Sequence, residues 1–235
     1  MKIPLSPRLQ TCCNFIAPGD RVADVGTDHG YLGIWLLQKG LASHVIASDI
    51  GEGPLSAAKA NAQRFGFTQQ MTFCLSDGVQ NIPRDFDTLV IAGMGAQTMI
   101  HILQQAPWLQ STAYRLVLQP QNKPQLLRAY LSQQGWRITE ESLVRDGRFL
   151  YAVMEVVWQP DYPPLTGGEY WFSPALLENP SPDLPEYYNR IVGGLRKAAL
   201  NRQDPQLLAA LEELEALANT KELSFLKEAN HDHCK

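Results

Sequence analysis

Three features of this 235-residue chain predict an α/β fold built on a mostly parallel sheet. Aliphatic, β-branched runs alternate with helix-length segments from Arg21 to about Gln134. The first run, Arg21-Val22-Ala23-Asp24-Val25, breaks into the turn Gly26-Thr27-Asp28-His29-Gly30, and a helix-like segment restarts at once in Leu32-Gly33-Ile34-Trp35-Leu36-Leu37. Beyond Gln134 the alternation stops, and two strand-like segments meet at Asp146-Gly147, a hairpin signal.

Strands are expected at Arg21–Val25, His44–Ser48, Met71–Leu75, Thr88–Ala92 and Arg115–Leu118. Helical patterns fall between them near Leu32–Lys39, Pro54–Phe65, Ala96–Gln105 and Pro124–Gln134. Pro54 and Pro124 suit first-turn positions, because proline's fixed φ fits there and its missing N–H has no partner to lose. Gly40, Gly66 and Gly135 suit helix stops. Trp136–Val144 and Phe149–Trp158 form the closing hairpin. Five parallel strands ended by an antiparallel hairpin is the arrangement of the class I (Rossmann-like) methyltransferases.

The segment Gln159-Pro160-Asp161-Tyr162-Pro163-Pro164-Leu165-Thr166-Gly167-Gly168 allows neither period to continue. It divides a sheet domain, residues 1–159, from a C-terminal region, residues 160–235. There Leu184–Asn201 and Pro205–Thr220 read as a helical hairpin joined through Asp204-Pro205. Leu207, Leu208, Leu211, Leu214 and Leu217 form the apolar stripe of its second helix. The final His231-Asp232-His233-Cys234-Lys235 reads as a frayed tail rather than a metal site, and no metal is expected.

Hydrophobic residues make up 45% and charged residues 19%, the balance of a soluble protein with one α/β domain and an appendage. No apolar run is long enough for a membrane span, and the first residues lack a signal-peptide pattern. The four cysteines, Cys12, Cys13, Cys74 and Cys234, form no spaced framework, so free thiols and a cytoplasmic location are expected. A net charge of −4 disfavours broad nucleic-acid binding but leaves room for a local basic face. A monomer is the favoured state.

The chemistry concentrates at the strand ends. A dinucleotide loop needs G-x-G-x-x-G, with free N–H groups facing a diphosphate. Here Asp28 takes the place of the second glycine and Asp24 lies just upstream. Two carboxylates repel a diphosphate but suit a cofactor that carries an ammonium and a sulfonium, S-adenosylmethionine. Gly26 permits the tight turn, and Thr27, His29, Gly30 and Tyr31 complete the cofactor loop. Asp24 either orders this loop or touches the ligand.

Asp49, with Ile50 beside it, ends the second strand where an acidic residue accepts ribose hydroxyls. Asp77-Gly78 ends the third, where a carboxylate can receive an adenine amino hydrogen. Ala92-Gly93-Met94 ends the fourth beside the transferable methyl, and Gly95 faces the substrate. Each residue alone has a plain turn or packing role; together, at consecutive strand ends, they mark a cofactor site.

Asp24-Val25-Gly26-Thr27-Asp28-His29-Gly30-Tyr31-Leu32, Ile91-Ala92-Gly93-Met94-Gly95 and Leu118-Gln119-Pro120 resemble the signatures of the bacterial tRNA (adenine-22-N1)-methyltransferases, the TrmK family. The resemblance covers essentially the whole chain. It implies a class I methyltransferase domain, a coiled-coil-like helical hairpin and methylation of adenine N1 in tRNA. Departures stand at Gly33, where the family usually has proline, at Ala96, where it has a second glycine, and at Asp49, often glutamate there. Gln121 also intervenes between Pro120 and Asn122.

Adenine N1 has a free lone pair, so the reaction needs in-line positioning more than a strong base. Asp28 is the candidate catalytic group, accepting the exocyclic amino hydrogens and stabilising positive charge, with binding of the cofactor ammonium as its other role. Gln119 and Asn122 are candidate base-edge contacts. Arg190, Arg196, Lys197 and Arg202, together with Arg145 and Arg148, are candidates for tracking RNA phosphates. A small-metabolite acceptor and a non-catalytic RNA-binding role are the alternatives.

Overall fold

The computed structural model describes residues 3–178, 180–202, 204–220 and 223–227. The predicted His231–Lys235 tail lies outside them. One seven-stranded sheet organises the chain: β1 (Asp20–Val25), β2 (Ala42–Asp49), β3 (Met71–Leu75), β4 (Thr88–Met94), β5 (Arg115–Pro120), β6 (Trp136–Asp146) and β7 (Phe149–Trp158). Their order is β3-β2-β1-β4-β5-β7-β6. β1 to β5 are parallel, and β7 runs antiparallel to both β5 and β6. The order in which strands are added reverses between β1 and β4, which run parallel, so their carboxyl ends open a crevice at the switch point.

Alternation along the strands explains the two-sided core. On β4, Leu89 and Ile91 face one layer while Val90 faces the other; on β5, Leu116 and Leu118 oppose Val117 in the same way. The first layer is covered by α4 (Ala96–Gln104) and α5 (Pro124–Gln133) through Met99, Ile102, Leu127 and Leu131. The second is covered by α1 (Pro7–Cys13) and α2 (Tyr31–Gln38), and α3 (Glu52–Phe65) adds Ala62. Gly33 is fixed by this packing, because a Cβ there would approach Val45 Cγ1 to 2.7 Å. α1 was not predicted from the sequence. It buries Cys12 and Cys13, and burial pushes both thiols far above neutral pH, Cys13 to about 12.

The C-terminal helices, α6 (Ala175–Glu178), α7 (Leu184–Arg202) and α8 (Pro205–Leu217), share a third core with Leu150 of β7. Tyr188 of α7 donates its hydroxyl proton to the Leu214 carbonyl of α8 at 2.8 Å. The predicted stripe on α8 is corrected at one position: Leu208 is 43% exposed, while Ala210 and Leu214 are buried. Mid-helix, Gly193 and Gly194 have open space where a Cβ would stand.

A buried charge joins these helices to the sheet. Arg128 of α5 is fully enclosed, and its Nη2 meets Glu141 Oε1 of β6 at 2.6 Å. Its Nη1 donates to the Tyr170 and Trp171 carbonyls, both at 3.0 Å, and Nη2 donates to the Tyr187 hydroxyl at 3.1 Å. With Nε also on Glu141, all five guanidinium donors are matched. The ion pair, reinforced by the Tyr187 contact, holds Arg128 charged against the opposing cost of burial.

Candidate active site

Val25 ends β1 against the core, and the chain then turns through residues with positive φ: Gly26 at 77°, Asp28 at 51° and Gly30 at 72°. Glycine is favoured at position 26 by its positive φ; a Cβ there would also displace the end of the Met94 side chain. The Gly26 and Thr27 N–H groups both donate to the Ser48 carbonyl, at 2.8 and 3.0 Å, fixing the loop to the end of β2. α2 then starts at Tyr31 behind Gly30. Asp28, a non-glycine residue in the left-handed region, is a local conformational cost maintained at this site.

The crevice is a cavity of about 280 Å³ lined by Arg8, Leu9, Asp24, Gly26, Thr27, Asp28, His29, Tyr31, Leu32, Ala92, Gly93 and Gln121. Most of the predicted loop therefore converges there, together with the end of β4. Asp49, Ile50, Asp77 and Gly78 do not line it; they extend along the neighbouring strand ends. Asp49 reaches the loop through its carboxylate, which accepts from the Gly51 N–H at 2.9 Å and the Asp28 N–H at 3.4 Å. Ile50 is 72% exposed and Asp77 is also exposed, whereas Gly78 is buried against Ile102. Met94 packs on Gly26, and Gly95 caps α4 beside Asn122.

Asp24 is the unusual group. It is buried, and its carboxylate accepts a hydrogen bond from the Thr27 hydroxyl at 2.7 Å. Burial pushes its pKa up to about 6, the Thr27 bond acts against the rise, and the charge of Asp49 adds to it. Asp28 and His29 sit outward, with His29 Nε2 at 3.6 Å from Asp28 Oδ1. The His29 carbonyl accepts from Asn61 Nδ2 at 2.9 Å, which anchors the loop from α3.

Two expectations are corrected here. Gln119 is fully buried; its Oε1 accepts from the Gly93 N–H at 3.1 Å and its Nε2 donates to the Pro120 carbonyl at 3.0 Å. Both ends of the amide thus hold the β4 and β5 ends, and neither faces a base. The cavity is also not purely acidic, since Arg8 of α1 lines it. Arg8 was missed because a seven-residue helix with two buried cysteines shows no apolar period. Its one sequence signal is Pro7, a first-turn proline after Ser6.

The predicted basic face divides as well. Arg196 pairs with Glu215 at 2.6 Å, and Arg145 pairs with Asp183 and Glu186, both at 2.6 Å. Arg148 lies over the Phe149 ring, and Lys197 is exposed. Arg190 differs: it donates to the Leu150 carbonyl at 3.1 Å and lies 5.5 Å from the centre of the Tyr187 ring. The Arg202 side chain is outside the described residues. Pairing inside the protein leaves Arg145 and Arg196 less able to serve phosphates.

A doubly covered α/β sheet, with an acidic turn after β1 and glycines at the end of β4, defines a methyltransferase-type site. A family model described as a methyltransferase domain matches residues 5–154, and the chain belongs to that family. More narrowly, it is 30% identical over 154 residues to the tRNA (adenine(22)-N(1))-methyltransferase of Bacillus subtilis. That match spans 65% of this chain and 65% of the Bacillus protein, so it leaves a third of each uncompared.

Solved structures extend the likeness over nearly the full length. A protein of the NADB-Rossmann superfamily from Streptococcus agalactiae is 30% identical, with a TM-score of 0.77 over 97% of this chain and 98% of that one. A putative tRNA (m1A22) methyltransferase from Streptococcus pneumoniae, in complex with S-adenosyl-L-methionine, is 27% identical. It superposes with a TM-score of 0.80 over 91% of this chain and 99% of that one.

Proposed function

We propose that this chain transfers a methyl group from S-adenosylmethionine to N1 of an adenine in tRNA, at position 22. The observation that carries the reading is Asp24: a buried carboxylate with a hydroxyl partner and, among the described residues, no cation paired to it, at the floor of an open crevice. Such a group calls for a positively charged ligand.

The residues fit that cofactor at both ends of its amino-acid portion. Asp24 and Asp28 suit its ammonium, and Arg8, whose Nε also meets Asp146 Oδ2 at 3.4 Å, suits its carboxylate, on the lining of one cavity. Ile50 offers an apolar face to the adenine ring, while Asp49 and Asp77 offer carboxylates to ribose and the adenine amino group. The bound cofactor supplies an electrophilic methyl carried on a sulfonium.

This chain then has to orient a base. Gly93, with φ at 78°, keeps the end of β4 free of side chain where an adenine edge must approach. Gln119 holds its N–H in place from behind. Asp28, exposed at the mouth, accepts the exocyclic amino hydrogens and stabilises charge as N1 becomes cationic. Asn122, beside Gly95 at the start of α4, lines the neighbouring cleft and is the further candidate for the base edge. A base in folded tRNA must leave its stack to reach this mouth.

Nucleoside mass spectrometry after incubation with unmodified tRNA and cofactor tests the proposal. 1-Methyladenosine is the expected product, with the added methyl group confined to position 22 in sequenced fragments. Methyl transfer to small metabolites alone, or none to tRNA, overturns it.

A further inference from the structure

A second cleft, of about 260 Å³, opens beside the candidate active site between the β5–α5 turn and α7. Its described lining includes Lys123, Arg190 and the aromatic side chains Tyr151, Trp171 and Tyr187 among neutral residues, and it includes no acidic residue. That is a marked local bias in a chain of net charge −4. Arg190 keeps its positive charge available, since its contacts with the Leu150 carbonyl and the Tyr187 ring are both uncharged. Arg145 and Arg196 instead stand in exposed ion pairs with neighbouring acids.

The cleft is continuous with the first cavity. Gln121 lines both, and Arg8, on the wall of the cofactor cavity, lies 5.9 Å from the centre of the Tyr151 ring of the second. Gln121 is fixed at this junction by its N–H, which donates to the Met94 carbonyl at 2.8 Å. Two backbone details mark this cleft. Lys123 holds a left-handed backbone, φ 49°, at the start of α5, which a lysine does not favour. Gly194, in the middle of α7, faces the cleft, and a Cβ added there would meet nothing within 4 Å, so internal packing does not demand glycine.

We infer that this cleft is a subsite for the RNA nucleotide next to the methylated adenine. Its base stacks on the partly exposed Tyr151 and Trp171, its phosphate meets Lys123 and Arg190, and Gly194 lets the sugar–phosphate chain pass close to α7. Extruding one base splays its neighbour, and a stacking platform a few side chains away repays part of that disruption. The inference rests on the proposed tRNA reaction and adds a second point of contact to it.

Lys123→Asn and Gly194→Leu in the full chain test it. Asparagine tolerates the left-handed backbone while removing the charge, and position 194 has room for a Cβ, from which leucine extends a side chain at the cleft. Binding of unmodified tRNA is followed by fluorescence anisotropy across a salt series, methylation by the KM for tRNA, and cofactor affinity by calorimetry. Lys123→Asn is expected to weaken tRNA binding about threefold to tenfold and to lower the salt slope by about one. Gly194→Leu is expected to raise the KM for tRNA roughly tenfold without lowering the melting temperature, a loss of about one base stack. Gly193→Ala, off the cleft, should leave tRNA binding as it is. Both cleft variants should bind the cofactor normally. Unchanged tRNA affinity and salt slope in both, while the unsubstituted chain still methylates tRNA, overturns the subsite alone. Failure of the unsubstituted chain to bind or methylate tRNA overturns the proposed function and the subsite with it.

Discussion

Asp24 on β1 and Glu141 on β6 are both carboxylates closed off from solvent, and their surroundings differ in kind. Glu141 has the Arg128 guanidinium against it, with every donor of that cation matched. Asp24 has the Thr27 hydroxyl, and burial drives its pKa up to about 6. A sealed pair is a joint: removing one partner strands the other. A carboxylate without a cation on the lining of a crevice instead relieves its desolvation by taking up a proton, or, in the function proposed above, by meeting a positive ligand. The difference separates architecture from chemistry within one sheet.

The largest effect should come from breaking the joint. Arg128→Met leaves Glu141 buried and unpaired, at a cost of roughly 3–5 kcal/mol. For a chain of this size the melting temperature should drop by on the order of 10 °C, read by thermal denaturation. Replacing both members, Arg128→Met with Glu141→Leu, should recover much of the loss. A single variant that melts with the parent would show that the joint carries no such weight.

Asp24 should act in the opposite sense. Its folded pKa of about 6 lies above the ordinary aspartate value of 3.8, so the native state holds the proton more tightly than the unfolded chain. Stability contributed by this group is therefore present at low pH and lost as pH rises from about 4 to about 6, by about 3 kcal/mol at most. Asp24→Asn should flatten that segment of the stability–pH curve, while Glu141→Gln lowers stability outright. A smaller effect belongs to the ligand. A cationic cofactor prefers the ionised carboxylate, so its affinity should fall as pH drops below about 6. Asp24→Asn should weaken binding by roughly 2 kcal/mol, the scale of a charged hydrogen bond. Titration calorimetry on either side of that pKa checks both.

The smallest shift provides a yardstick away from either carboxylate. Gly193→Ala fills open space in α7 and should stabilise the chain by roughly 0.5–1 kcal/mol. If Arg128→Met shifts the melting point by no more than this, the contrast between the two carboxylates fails.

How far these features could be read in advance follows from the range of the interactions. Strands predicted at Met71–Leu75 and Phe149–Trp158 match the structure, since alternation and flanking turns are local signals. The loop from Gly26 to Gly30 was legible because glycine and aspartate at a strand end carry positional meaning. Nothing local in the sequence marks Arg128, because its partners come from β6, the turn near Tyr170 and α7. The pairing of Arg196 with Glu215 depends on how α7 meets α8, and no period in either helix encodes it. Gln119 read as a free amide because nothing in its neighbourhood along the chain reveals the Gly93 N–H beneath it.

The Arg128 joint also bears on how this polypeptide emerges from a ribosome. Glu141 becomes available soon after Arg128, but the Tyr170, Trp171 and Tyr187 partners follow only after the last strand has been synthesised. Until then the nascent sheet keeps a guanidinium with three waiting donors on its flank, satisfied by water. Cutting the gene after residue 159 would make that interim state permanent, so the fragment would carry a wet, half-matched charge where the intact molecule is dry.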